Sequence, residues 1–177
     1  MNLRLGRMIL CLFLPLILSS CSDDPVNEPY DDVAIRVLVY RAMYDILPLD
    51  TLGCEAMAVA LGDSLKDELF WPTVITPHSQ QLITDLALAL PLRIVAMDEV
   101  EMVWQPTGYA IYRTIDTQVP AVACFTASIE RVDGTHLIVT CGMRHRDNYY
   151  AYAACDLVFE NDGWNARAMN VYYSRRG

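Results

Sequence analysis

Basic residues are scarce in this chain, and that scarcity sets the first bound on its function. Of 177 residues, 13 are Lys or Arg and 22 are Asp or Glu. A nucleic-acid surface needs clustered cations to neutralise phosphates, and only Arg144 with Arg146 and the pair Arg175, Arg176 are locally basic. No nucleic-acid partner is expected. The negative charge favours solubility and repels anionic surfaces. Histidine is equally sparse: His78, His136 and His145 form no His-Glu-x-x-His pattern, and none has a second histidine two or four positions away. No metal or cofactor is expected on that account. The cysteines contain no Cys-x-x-Cys pair, which argues against a zinc site. Ser79 and Ser128 lack the Gly-x-Ser-x-Gly setting that exposes a serine nucleophile. The sequence has no internal repeat. These absences make a non-enzymatic role the first expectation.

What the sequence does have is a distinctive beginning. Residues 1–20 carry Arg4 and Arg7, an apolar run from Met8 to Leu18 and the small pair Ser19, Ser20, which is the layout of an export signal. A spanning helix needs about 20 apolar residues, and this run is shorter, contains Pro15 and gives way to Ser22, Asp23, Asp24. The stretch Leu18, Ser19, Ser20, Cys21 resembles the lipobox cut by bacterial lipoprotein signal peptidase. The resemblance implies that the Cys21 thiol carries diacylglycerol, that its freed amine is acylated by a fatty acid such as palmitate, and that Cys21 is the membrane tether. Each buried methylene contributes about 0.8 kcal/mol, so two or three chains hold firmly where one does not. Ser22 after the cysteine resembles outer-membrane sorting, and Ser22, Asp23, Asp24 resemble the acidic tether that some Bacteroidota use for surface display. The expected organisation is a signal peptide over 1–20, a flexible tether over 21–29 with Pro25 and Pro29, and a single α+β domain over 30–177. Removing residues 1–20 takes away two arginines and no acid, leaving 11 basic against 22 acidic residues and a net charge near −11.

With Cys21 lipidated, Cys54, Cys124, Cys141 and Cys155 remain as an even set in an oxidising compartment. Three disulfide pairings can be drawn.

Apolar residues at Ile35, Leu38, Val39, Ala42, Met43 and Ile46 predict a core-facing helix over Tyr30–Leu47, with Asp31 and Asp32 at its positive end and Pro48 at its stop. Cys54–Leu61 fits a strand or a second helical piece, since its alanines suit a helix and its alternation suits neither cleanly, and the strand is the preferred reading. Gly62, Asp63, Ser64 open a second, short helix through about Phe70. Thr76–Ser79 reads as a loop, and Leu82–Leu90 fits either period. From Leu92 onward strands alternate with turn residues: Val100–Trp104, Tyr109–Ile115, and a meander with turns at Asp133, Gly134, at Arg146, Asp147, Asn148 and at Asn161, Asp162, Gly163. A two-residue Asp-Gly turn would pair Phe125, Ala127 and Ile129 with Gly142, Thr140 and Ile138, whereas a three-residue turn including Val132 pairs them with Cys141, Val139 and Leu137, and the second matches one apolar face throughout. In that register Cys124 falls on the other face, away from Cys141. The next turn brings Cys141 opposite Ala153 or its neighbours, which leaves a Cys141–Cys155 disulfide within diagonal reach.

The closing pattern Leu157–Phe159, Asn161, Asp162, Gly163, Trp164 and Ala166–Tyr173 is similar to the terminal hairpin of nuclear-transport-factor-two-like and cystatin-like domains. The resemblance implies an N-terminal helix packed on a curved antiparallel sheet. The middle of the chain, from the first helix through Ala60 to Ser79, resembles uncharacterised bacterial lipoproteins in which a helix, a strand and a short Asp-Ser-capped helix precede such a sheet, and these transfer no activity.

Asp156 interrupts the apolar strand Ala151–Phe159, and Arg167 lies near its partner position on the facing strand. In a cone-shaped fold the two, with His145, line a pocket. Their bland alternative is an outward-facing cross-strand ion pair. His136 reads as a solvated strand residue. Asp98, Glu99 and Glu101 form an acidic cluster that a solvated strand face explains as well as a cation does. Tyr109, Tyr112, Tyr149, Tyr150, Tyr152, Tyr172 and Tyr173 offer a recognition surface on the sheet. Two functions follow: an envelope lipoprotein that binds a protein or small-ligand partner through the sheet, or a pocket protein or enzyme using Asp156, Arg167 and His145.

Overall fold

The fold is described from a computed structural model, which describes residues 30–46, 53–62, 75–146 and 149–175. The expected second helix at Gly62–Phe70 lies outside these residues, apart from Gly62, which ends a strand. So do the tether and Cys21.

The first element is helix α1, Asp32–Ile46. Asp31 caps it by accepting the Val33 N–H at 2.9 Å. Its buried stripe is Ile35, Arg36, Val39, Tyr40 and Met43, rotated from the expected one, so that Ile46 is left exposed. Strand β1, Ala56–Gly62, follows, then β2, Ile75–Pro77, so the expected loop at Thr76–Ser79 begins as a short strand. Helix α2, Gln80–Ala89, settles the ambiguous Leu82–Leu90 segment; Ser79 is its N-cap and Leu82 and Leu86 its buried side. Strand β3, Arg93–Ala96, leads through one 3-10 turn into β4, Val100–Trp104. The remaining strands are β5, Ala110–Thr114; β6, Pro120–Arg131; β7, His136–Arg146; β8, Tyr149–Glu160; and β9, Gly163–Arg175.

All of these strands join one sheet. Consecutive hairpins make β6, β7, β8 and β9 an antiparallel meander, as their turn residues predict. The sheet as a whole is not antiparallel, which corrects that expectation. After β2 the chain returns through α2, so β3 enters parallel to β1, and β6 also runs parallel to β1 on its other side. The architecture is α+β, an open mixed sheet with α1 and α2.

The main core lies between the helices and one sheet face. Ile35, Val39, Tyr40, Leu82 and Leu86 meet Met57, Val59, Val122, Cys124, Leu137, Val139 and Leu157 there. A smaller cluster covers the other face of β1 and β6, where Ala56, Ala58, Ala121 and Ala123 pack with Val95, Val100 and Tyr112. Burial on both faces explains why β1 and the start of β6 read as continuous apolar runs with no alternation.

Three register shifts occur in the meander ladders of the described residues, and two of them set pairings that sequence pattern alone does not reveal. The β6–β7 turn is Asp133–Thr135, because Val132 N–H bonds His136 O at 3.0 Å. Between Thr126 and Ile129 the ladder then slips, and Phe125 pairs with Gly142 and Thr126 with Cys141. The expected pairing of Phe125 with Cys141 is therefore wrong by one residue. Its corollary fails too: Cys124, opposite Met143, shares the helix-facing side with Cys141 and Cys155. The second bulge lies in the β8–β9 ladder at Arg167.

Among the described residues, no helix is long and apolar enough to cross a membrane.

Candidate functional site

The β8–β9 turn is built from Asn161 and Asp162 at φ 53° and 62°, the left-handed pair of a two-residue hairpin turn. From that turn the strands pair Glu160 with Gly163 down to Leu157 with Ala166. One more step in that register would set Asp156 against Arg167. Instead Asp156 pairs with Ala168, and Arg167 is the extra residue of a bulge. The cross-strand ion pair does not form among the described residues, yet both side chains line one groove of about 510 Å³ on the sheet face away from α1. Asp133 and His136, from the adjacent β6–β7 hairpin, line it as well, and Val158 and Ala168 supply apolar wall.

His136, not His145, accompanies Asp156. The β7–β8 register puts Ile138 opposite Asp156 and His136 opposite Val158, so His136 is the diagonal neighbour and its Nε2 lies 3.5 Å from Asp156 Oδ1. His145 is seven strand positions from Ile138, about 23 Å at about 3.3 Å per residue. It faces the other side of the sheet. The sequence carried the signal for His136, since placing Cys141 opposite Ala153 implies the His136–Asp156 diagonal. Asp133 accepts the Thr135 N–H at 2.8 Å, which holds its carboxyl below the usual range and keeps it ionised. Arg167 is exposed and makes no ion pair among the described residues. The groove thus holds a free guanidinium on one strand and carboxylates on the others.

Two buried clusters hold other titratable groups. His145 Nδ1 lies 3.2 Å from Cys54 Sγ. Burial pushes the Cys54 thiol up to about 11, and burial followed by Arg146 pushes the His145 imidazole down. Both partners are neutral at pH 7, the reverse of the thiolate and imidazolium that nucleophilic catalysis needs. The second cluster joins α1 to the first bulge. Arg36 Nη1 donates to Thr126 Oγ1 at 2.7 Å and to Ala127 O at 2.9 Å, while its Nε donates to Asp32 Oδ2 at 2.8 Å. Tyr40 Oη lies 2.9 Å from Ala60 O, to which it donates, and 2.8 Å from His78 Nε2. Arg36 thereby satisfies the Ala127 carbonyl at the bulge, and apart from Asp32 the network is buried.

The four described cysteines, Cys54, Cys124, Cys141 and Cys155, are free buried thiols. The Cys141–Cys155 disulfide that the sequence leaves as a possibility is absent among the described residues: Cys141 faces Ala153 and Cys155 faces Val139, a diagonal whose spacing of roughly 7–8 Å exceeds ordinary disulfide reach. Tyr112 and Tyr150 are buried and Tyr109 and Tyr152 half-buried, so these four offer no open aromatic patch. Glu99 accepts the Ala96 N–H and Glu101 accepts from the Gln118 amide, and no group of three His, Cys, Asp or Glu among the described residues is placed to hold a metal ion.

No protein-family model matches the chain, and comparisons with curated proteins and solved structures give no match.

Proposed function

We propose that the chain is a lipid-anchored protein of a bacterial cell envelope, tethered through Cys21 at the outer membrane or cell surface, whose domain is a non-enzymatic binding module. The observation that carries the binding reading is the groove. Asp156 and Arg167 line it with opposite charges out of contact with each other, while the buried nucleophile Cys54 is neutral and enclosed. The likeness of the closing hairpin to nuclear-transport-factor-two-like and cystatin-like domains extends, in this reading, to α1 laid on the meander. It does not extend to the parallel strands β1 and β3. A catalytic cavity of that type would sit on the α1 side, which Tyr40, Phe125's neighbours Cys124 and Thr126, and the leucines of α2 fill. The binding module is therefore the better reading.

Two measurements test it. Intact-mass spectrometry of the native protein is expected to show an N-terminus at Cys21 carrying acyl chains, lost in Cys21→Ala; an unacylated chain starting at Met1 overturns the tether. Capture from detergent-solubilised envelopes on the wild-type chain and on Arg167→Gln, side by side, tests the module. A component retained by the first and lost from the second supports the groove. Identical sets on both overturn it.

A further inference from the structure

Opposite charges on neighbouring strands normally close on one another. Here the sequence could do so, because the register from the turn to Leu157–Ala166 leads to Asp156 against Arg167. A bulge placed at that step takes Arg167 out of register with Asp156, and the two line the same groove with no ion pair between them. Asp133 adds a second carboxylate, so the groove carries Asp133, Asp156 with His136 Nε2 3.5 Å from it, and Arg167. Exposed Arg167 and half-buried Asp156 keep much of their hydration, which lowers the cost of holding them apart. A volume of about 510 Å³ falls in the range of small-molecule sites.

We infer that the groove binds a small zwitterion, with a primary ammonium held by Asp156 and Asp133 and an oxyanion held by Arg167. The inference rests on the binding-module reading above and specifies its ligand. A guanidinium fork takes a carboxylate or a phosphate in bidentate fashion, so the ligand is either the unblocked end-to-end dipole of a short peptide or a phosphoethanolamine headgroup. Val158 and Ala168 add apolar lining against which a small aliphatic group can pack.

The test uses the full acylated chain in detergent micelles, titrated with alanylalanine, N-acetyl-alanylalanine, alanylalanine amide and O-phosphoethanolamine, with the ring signals of His136 and the heat of binding as readouts. Unblocked alanylalanine or phosphoethanolamine is expected to bind, and whichever binds tighter identifies the oxyanion. Each blocked peptide is expected to bind at least about tenfold more weakly, the loss of one charge-assisted contact. Asp156→Asn should weaken the unblocked peptide about tenfold and leave the N-acetyl form unchanged; Arg167→Gln should weaken it similarly and leave the amide unchanged. This matching of variant to blocked end is something a merely structural residue does not produce. Equal binding of blocked and unblocked peptides, or binding of none of the four, overturns the inference. If a component is nonetheless captured from envelopes in an Arg167-dependent way, the groove remains a binding site and only the ligand class falls. If no such component is captured either, the module reading falls with it.

Discussion

Phe125 lies directly across from Gly142 in the β6–β7 ladder, and its ring fills the space that a side chain at Gly142 would need. A β-carbon on Gly142 would sit 2.6 Å from Phe125 Cζ and 3.0 Å from Ala151 O. Phe125 is 1% exposed, so the ring has nowhere to swing.

Gly142→Ala is accordingly expected to destabilise the domain by about 1–3 kcal/mol, the usual cost of overpacking, and to lower Tm by several degrees. Phe125→Leu costs stability on its own by opening space. In Gly142→Ala with Phe125→Leu the two losses should partly cancel. Thermal unfolding of the three variants checks this, and strict additivity would show that the ring and the glycine do not interact.

The same pair shows where sequence reading stops. Helical periodicity places α1 and turn residues place the β6–β9 meander, because each depends on local pattern, whereas β1 is buried on both faces and carries no alternation. The pairing of Phe125 was missed by one residue because a bulge beside Ala127 and Ser128 is stabilised by Arg36, which is 91 positions from Ala127 and on another element. The side of the sheet occupied by Cys124 followed that error. Asp156 and Arg167 were visible as an unusual pair, but the bulge that separates them depends on where a turn of Asn161 and Asp162 sets the register. His136 reads from the sequence as a solvated strand residue, although the register that sets Cys141 opposite Ala153 implies its diagonal contact with Asp156. The parallel strands β1 and β3 were hidden for a different reason: they form through a crossover, and periodicity carries no information about which distant strands become neighbours.

Arg36 offers a second test, because it satisfies Thr126 and Ala127 at the bulge while pairing with Asp32. Arg36→Met keeps much of the stem and removes every donor. The buried Ala127 carbonyl then loses its side-chain partner, and a loss of about 1–3 kcal/mol is expected from urea unfolding. Asp32→Asn, at the exposed end of the same contact, should cost well under 1 kcal/mol. Equal effects of the two would contradict a role for Arg36 in holding the bulge.

The four core thiols give a third. Burial raises each of them, Cys54 and Cys155 to about 11, so at pH 8 almost none is thiolate, and all four are buried. Iodoacetamide added to the native protein without reductant should leave Cys54, Cys124, Cys141 and Cys155 unmodified. Added in denaturant, still without reductant, it should label all four. Peptide mass spectrometry distinguishes this from a disulfide-bonded protein, in which paired cysteines stay unlabelled under both conditions until reduced.

His78 makes stability depend on pH in a direction that can be worked out. Burial, then the charge of Arg36, push its imidazole down to about 4, against about 6.5 in an unfolded chain. Between those values the unfolded state holds a proton that the folded state excludes, so this contribution is complete above pH 6.5 and is lost as pH falls towards 4. The slope approaches about 1.4 kcal/mol per pH unit for one proton. His145, lowered by burial and then by Arg146, acts in the same direction, so the wild type should lose stability more steeply than one histidine accounts for. Asp116 does not interfere, because its pairing with Arg93 holds it at about 2, below this window. In His78→Gln the amide can keep the contact with the Tyr40 hydroxyl and cannot titrate. Urea unfolding at pH 7, 6 and 5 should therefore show a shallower decline in His78→Gln than in the wild type, by up to one proton's slope. Parallel curves would mean that the imidazole beside Tyr40 titrates as freely in the folded chain as in the unfolded one, which a ring 8% exposed and hydrogen-bonded at 2.8 Å does not allow.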